Sequence, residues 1–220
     1  MKWLIWKDYR VNRLVFITAL VLLVAPHALF AILIWCGFGP KDHLQGAYAA
    51  SYVSLVLLQL AFALLGGNSI AGERIDRSAE FLAYLPVSRG RILTSKLLVV
   101  LAAIPLVWLP NLVVMAIAGA SARPPVEVLF RELRTIAITG VTFFCVAWLF
   151  SCILESPTFS VSAGLIVPFL VAMTIWGVSD LRHVRVAGEV LLGWYWGLCL
   201  AISAASFPTG TLYYLRRVGP

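Results

Sequence analysis

Residues Leu14–Cys36 read LVFITALVLLVAPHALFAILIWC, twenty-three positions with no acidic residue, lysine or arginine. As a helix rising 1.5 Å per residue, this run covers the roughly 30 Å hydrocarbon core of a bilayer. Lys2, Lys7, Arg10 and Arg13 precede it, as basic residues also precede a cleaved leader. A leader, however, has an apolar core of about 7–15 residues and a small-x-small cleavage site. The run is longer than that and no such site follows, so it reads as a retained membrane span.

Measured with the same ruler, the chain continues with apolar runs at about 47–70, 92–119, 135–154, 158–178 and 190–215. Polar or Gly/Pro-bearing breaks separate them at 37–46, 71–91, 120–134, 155–157 and 179–189. None of these breaks can hold a separate globular domain. The expectation is an all-α integral membrane protein, one transmembrane domain over residues 1–220 with six spans. Composition agrees: 61% of residues are hydrophobic and 12% charged, with mean hydropathy +0.94. Soluble domains are about half apolar and a quarter charged. A soluble enzyme and a nucleic-acid binder are both excluded.

The net charge of +7 is therefore a topology signal. With the N-terminus inside, Lys2, Lys7, Arg10, Arg13, Arg74, Arg77, Arg89, Arg91, Lys96, Arg216 and Arg217 are inner. Lys41, Arg123, Arg131, Arg134, Arg182 and Arg185 are outer. Eleven against six favours both termini on the cytoplasmic side, in the cell membrane. The outer pair Arg131 and Arg134 is the exception to this bias. Trp3, Trp6 and Tyr9 in the N-terminal segment suit the headgroup level, which makes that segment interfacial. Its apolar and basic positions do not separate cleanly around a helix.

The spans carry little chemistry. Cys36, Cys145, Cys152 and Cys199 lie in or beside apolar runs and read as small hydrophobes. His27, His43 and His183 are scattered, and phosphate-loop, dinucleotide and metalloprotease motifs are absent. The expectation is no catalytic residue, no metal and no cofactor in this chain. Gln59, Asn68 and Asn111 read as helix-to-helix hydrogen bonders. Pro26, Pro105, Pro110, Pro168 and Pro208 interrupt helix hydrogen bonding, as packing devices or as hinges. Gly193 and Gly197 form a G-x-x-x-G pair, read as packing within the chain.

One segment is dense in charge. It runs from Gly72-Glu73-Arg74-Ile75-Asp76-Arg77-Ser78-Ala79-Glu80 to Phe81-Leu82-Ala83-Tyr84-Leu85-Pro86, and on to Lys96. A helix over Glu73–Leu85 sets Glu73 over Arg77 and Asp76 over Glu80. It aligns Phe81, Leu82 and Leu85 in an apolar strip and stops at Pro86. Such a helix suits a groove on a soluble partner; alternatively, the segment is a solvated loop whose basic residues only fix orientation.

These residues resemble the signature of permease subunits of type-2 ATP-binding-cassette (ABC) transporters. Those commonly show a glutamate-led helix, a second glutamate, leucines, L-P-[VI]-S-R, and a lysine opening the next span. Glu73, Glu80, Leu82, Leu85-Pro86-Val87-Ser88-Arg89 and Lys96 match in order and spacing. Where the family often has Gly-Thr before the second glutamate, this chain has Arg77-Ser78-Ala79. The resemblance implies a dimer of six-helix subunits, homomeric or heteromeric, that binds two cytoplasmic ATPases and works as an exporter. ATP and magnesium would belong to that partner. It further implies a coupling helix drawing on Glu73, Arg74, Asp76, Arg77, Glu80, Phe81, Leu82 and Leu85. Pro86, Ser88, Arg89 and Lys96 would be signature or anchoring residues. Two other readings are a secondary carrier or channel, and a membrane scaffold recruiting a soluble partner through residues 71–91. The scarcity of intramembrane charge argues against the carrier.

Overall fold

The computed structural model describes residues 2–38, 42–75, 87–122, 125–181 and 188–217. Among the described residues there are seven helices and no strand. They are α1 (Lys2–Val11), α2 (Arg13–Trp35), α3 (His43–Ile75), α4 (Arg89–Ala122), α5 (Val126–Ile153), α6 (Pro157–Leu181) and α7 (Gly188–Arg217). Helices α2 to α7 are each long and apolar enough to cross a membrane, one for each expected span. The fold is all-α and multi-pass.

Local chemistry sets several boundaries. Helix α2 is closed by Gly37, two residues past its end, whose φ of +78° is open to glycine at little cost. The Gly37 N–H donates to the Ile34 carbonyl at 3.1 Å and the Phe38 N–H to Leu33 at 2.9 Å. That pair of bonds is the Schellman closure of a helix C-terminus. Asp42 then starts α3, its Oδ1 accepting the Leu44 N–H at 2.9 Å. Between α5 and α6 only Leu154, Glu155 and Ser156 intervene, and Pro157 is well placed as a first helical residue.

The break after α4 is much shorter than expected. Helix α4 runs to Ala122 and α5 begins at Val126, so Arg131-Glu132-Leu133-Arg134 is helical rather than part of a 120–134 break. Glu127 stands in the first turn of α5, where the helix dipole favours an acid, and one turn before Arg131. Hydropathy marks where the apolar layer ends, whereas the helix continues past it. Residues 182–187 of the expected 179–189 connection lie outside the described residues.

The molecule packs as two compact units, residues 1–61 with 94–136 and residues 62–93 with 137–220. The first centres on Leu55, Met115 and Ile136, with Tyr48, Tyr52, Trp108, Leu129 and Leu133 around them. Pro26 lies buried within α2 and cannot donate to the Leu22 carbonyl one turn back. Ser54 Oγ of α3 lies 3.4 Å from that carbonyl and 3.3 Å from the Leu23 carbonyl. Asn111 Nδ2 of α4 in turn donates to Ser54 Oγ at 3.1 Å. A polar chain across three helices thus compensates the proline, and Asn111 is the interhelical bonder expected. Gln59 instead donates to its own helix, at the Leu55 carbonyl.

In the second unit Trp148 is fully buried, its ring centroid 5.8 Å from those of both Phe144 and Phe207. Glycines bring helices close here: a Cβ on Gly66 would stand 2.6 Å from the Phe144 carbonyl oxygen, and one on Gly164 2.9 Å from that of Phe143. Gly193 and Gly197, by contrast, are exposed and meet nothing within 4 Å. The expectation that this pair packs within the chain is therefore corrected. Spacing alone does not tell which face of α7 turns inward.

Exposed positions are apolar: Leu14, Ile17, Leu20, Val21 and Val24 line the outside of α2. Buried ones include Ser51, Ser54, Ser95, Asn111, Thr142, Ser151 and Ser160. This is the packing of helices whose solvent is lipid, where small and hydrogen-bonding residues hold the interior together.

Candidate functional site

The charged segment leaves the end of α3 and returns at the start of α4. Of the residues expected to couple, Glu73 and Arg74 are described. Asp76, Arg77, Glu80, Phe81, Leu82, Leu85 and Pro86 lie outside the described residues, as does most of the helix expected over Glu73–Leu85. Glu73, Arg74 and Ile75 form the last turn of α3. The span therefore continues to Ile75, past its expected end at residue 70, and Glu73 is not a loop charge. It is 3% exposed and is engaged by a neighbour.

Arg74 turns toward the fourth span. Its Nη2 donates to the Cys152 carbonyl at 2.8 Å and its Nη1 to the Leu154 carbonyl at 3.1 Å. Those carbonyls belong to the end of α5, where the last acceptors of a helix lack intrahelical donors. A guanidinium there also meets the negative end of the helix dipole. One turn earlier, Ser151 Oγ accepts the Ile70 and Ala71 N–H groups, both at 3.0 Å. The contacts advance together along both helices, from Gly66 against Phe144, through Ile70 against Ser151, to Arg74 against Cys152. The second and fourth spans therefore lie side by side and run in the same direction.

On the return side, the Ser88 carbonyl accepts the Arg91 and Ile92 N–H groups and starts α4. Arg89 Nη1 donates to the Leu215 carbonyl near the end of α7 at 3.1 Å. Ser88 itself is exposed. Lys96, expected as a signature or anchoring residue, opens onto the N-terminal helix. It is buried, and its Nζ lies 3.5 Å from Asp8 Oδ1, itself 2% exposed. Ser95 donates to the other oxygen of the same carboxylate, and Asn12 Nδ2 donates to the Asp8 carbonyl at 2.9 Å.

This cluster explains α1. Leu4, Asp8 and Asn12, four residues apart, face inward, while Trp3, Trp6, Tyr9, Arg10 and Arg13 are exposed. The inward face is largely polar because Asp8 is matched by Lys96 and Ser95, so apolar and charged positions do not separate. Sequence reading missed Asp8. Its signal was a lone acid among basic residues, at i+4 from Leu4 and i−4 from Asn12.

Of the scattered histidines, His27 and His43 line a single cavity of about 500 Å³ in the first unit, with Phe30, Ile34 and Trp35. The His27 ring bridges the Leu23 carbonyl at 3.0 Å and Ser51 Oγ at 3.2 Å. No group of histidine, cysteine, aspartate or glutamate suited to a metal ion occurs among the described residues.

The two flanks of the charged segment are thus each fastened, by an arginine, to the end of another span. Residues 6–175 match the family model of the ABC-2 family transporter proteins. No curated protein and no solved structure matches the chain. The match covers more than three quarters of the 220 residues and includes the whole charged segment. The chain therefore belongs to the ABC-2 transporter family, as a multi-pass membrane permease subunit.

Proposed function

We propose that this permease is the membrane half of an ATP-driven exporter, pairing with a second permease subunit and with separate cytoplasmic ABC ATPases. Both termini and residues 71–91 face the cytoplasm, and Glu73–Leu85 carries the coupling function. ATP and magnesium are handled by the ATPase. The observation that carries this reading is the charged segment inside the family-matched region, with its flanks fastened to two further spans. Eleven of seventeen lysines and arginines on that side agree with it.

The test is purification of the tagged protein from its own membrane. An ABC ATPase and a second permease copy or paralogue should co-purify, and the reconstituted complex should export only with ATP. A cysteine at Ser78 should label from the cytoplasmic side. A protein that purifies as a monomer and transports without ATP overturns the proposal, as does labelling of Ser78 from outside alone.

A further inference from the structure

The two arginines that bracket the charged segment do different work from the residues between them. We infer that Arg74 is a positioning residue: it fastens the base of the second span to the end of the fourth, so that displacement of the docking segment moves both spans as one body. The inference rests on the coupling role proposed above, but it takes Arg74 out of the docking surface and places it in the transmission path.

The argument starts from donor geometry. Guanidinium presents five N–H groups in a planar fork, whereas lysine presents one rotating ammonium. Arg74 spans two carbonyls two residues apart, Cys152 and Leu154, at 2.8 and 3.1 Å. Neither carbonyl has a helical donor ahead of it, because α5 ends at Ile153 and the chain turns at Glu155. With two of its five N–H groups given to carbonyls of its own chain, the guanidinium is turned toward α5 and held there. The contact is also stiff. Ser151 accepts two N–H groups of α3 one turn earlier, and Gly66 leaves no room for a Cβ against the Phe144 carbonyl. Close-packed helices are not continuously deformable, so a push at the end of α3 is shared with α5. Arg89 makes the corresponding contact on the other flank, but with one bond, to Leu215, which is exposed where those of Arg74 are part-buried. Its contribution is smaller.

The experiment uses the full permease reconstituted with the ATPase that co-purifies with it, comparing the parent with Arg74→Gln, Arg74→Lys and Arg89→Gln. Three quantities are read per folded protein: ATPase association, ATP hydrolysis, and substrate exported per ATP. Arg74→Gln should bind the ATPase within about twofold of the parent while export per ATP falls by about tenfold, the scale of one charged hydrogen bond. Arg74→Lys should fall between, since it keeps the charge and loses the fork. Arg89→Gln should change export per ATP by less than about threefold, as an exposed single contact does. If Arg74→Gln does not fold, Arg74→Lys carries the same comparison. Loss of ATPase association in either Arg74 variant overturns the inference in favour of direct docking, and unchanged export per ATP overturns it outright. A parent protein that binds no ATPase would instead overturn the coupling role itself, a result seen before any variant is made.

Discussion

Lys96 Nζ lies 3.5 Å from Asp8 Oδ1, and both side chains are at least 95% buried. The pair joins the N-terminal helix to the first turns of the third span through a charge contact shielded from water. Taking one ion away leaves the other buried and uncompensated, which costs roughly 3–5 kcal/mol, while replacing both with apolar groups is often neutral or stabilising. Asp8→Ala should therefore lower thermal stability in detergent sharply, and Asp8→Leu combined with Lys96→Met should recover most of the loss. Equal stability for Asp8→Ala and the parent would show that the pair is not buried in the working protein.

Glu73 and Glu80 should part company. Glu73 is buried in the last turn of α3, so Glu73→Ala removes a buried hydrogen-bonding group and should cost about 1–3 kcal/mol of stability. Glu80→Ala, if that residue sits on the docking surface, should leave stability within about 0.5 kcal/mol and weaken ATPase association. Thermal melts and co-purification of the two variants decide between them. Matching melts for both would contradict the buried setting of Glu73.

Two sets of glycines should respond in opposite ways. Gly66→Ala places a Cβ 2.6 Å from a carbonyl oxygen and should destabilise by about 1–3 kcal/mol, the cost of overpacking. Gly193→Ala and Gly197→Ala meet nothing within 4 Å and should leave the subunit within about 0.5 kcal/mol. Unfolding midpoints of the three variants give the comparison directly.

Ser54 and Pro26 should be coupled. Ser54→Ala leaves the Leu22 carbonyl, already without a helical donor, unmet, and should cost about 1–3 kcal/mol. Pro26→Ala restores that donor. A double-mutant cycle should show an interaction of about 0.5–1 kcal/mol or more, with Ser54→Ala less costly in the Pro26→Ala background. Strict additivity would mean that Ser54 serves only Asn111.

Much of this architecture was legible in the chain. Six apolar runs gave six helices, and Gly37 and the Glu155-Ser156 turn fell within expected breaks. Length and hydropathy report these because the bilayer imposes them on every span. The helical start at Val126 was not legible, because charges end an apolar run without ending a helix. Nor was the direction of Arg74: in sequence it is one of several charges in a polar segment, and only the placement of the α5 carbonyls turns it inward. Asp8 was hidden for a related reason, since its partner is eighty-eight residues away.

The buried serines and glycines have a consequence for reading variants of this gene. In a water-soluble protein, a change that raises hydropathy at a buried site is often benign and one that lowers it at the surface is ignored. Here the signs exchange. Ser151→Leu would look like an improvement on a hydropathy plot, yet it removes the acceptor of two backbone N–H groups and wedges apart two parallel spans. Leu20→Asp, at a position 60% exposed, would pass as a harmless surface change in water. Within a span it sets a carboxylate against hydrocarbon, at an apparent cost of up to about 3.5 kcal/mol by insertion scales.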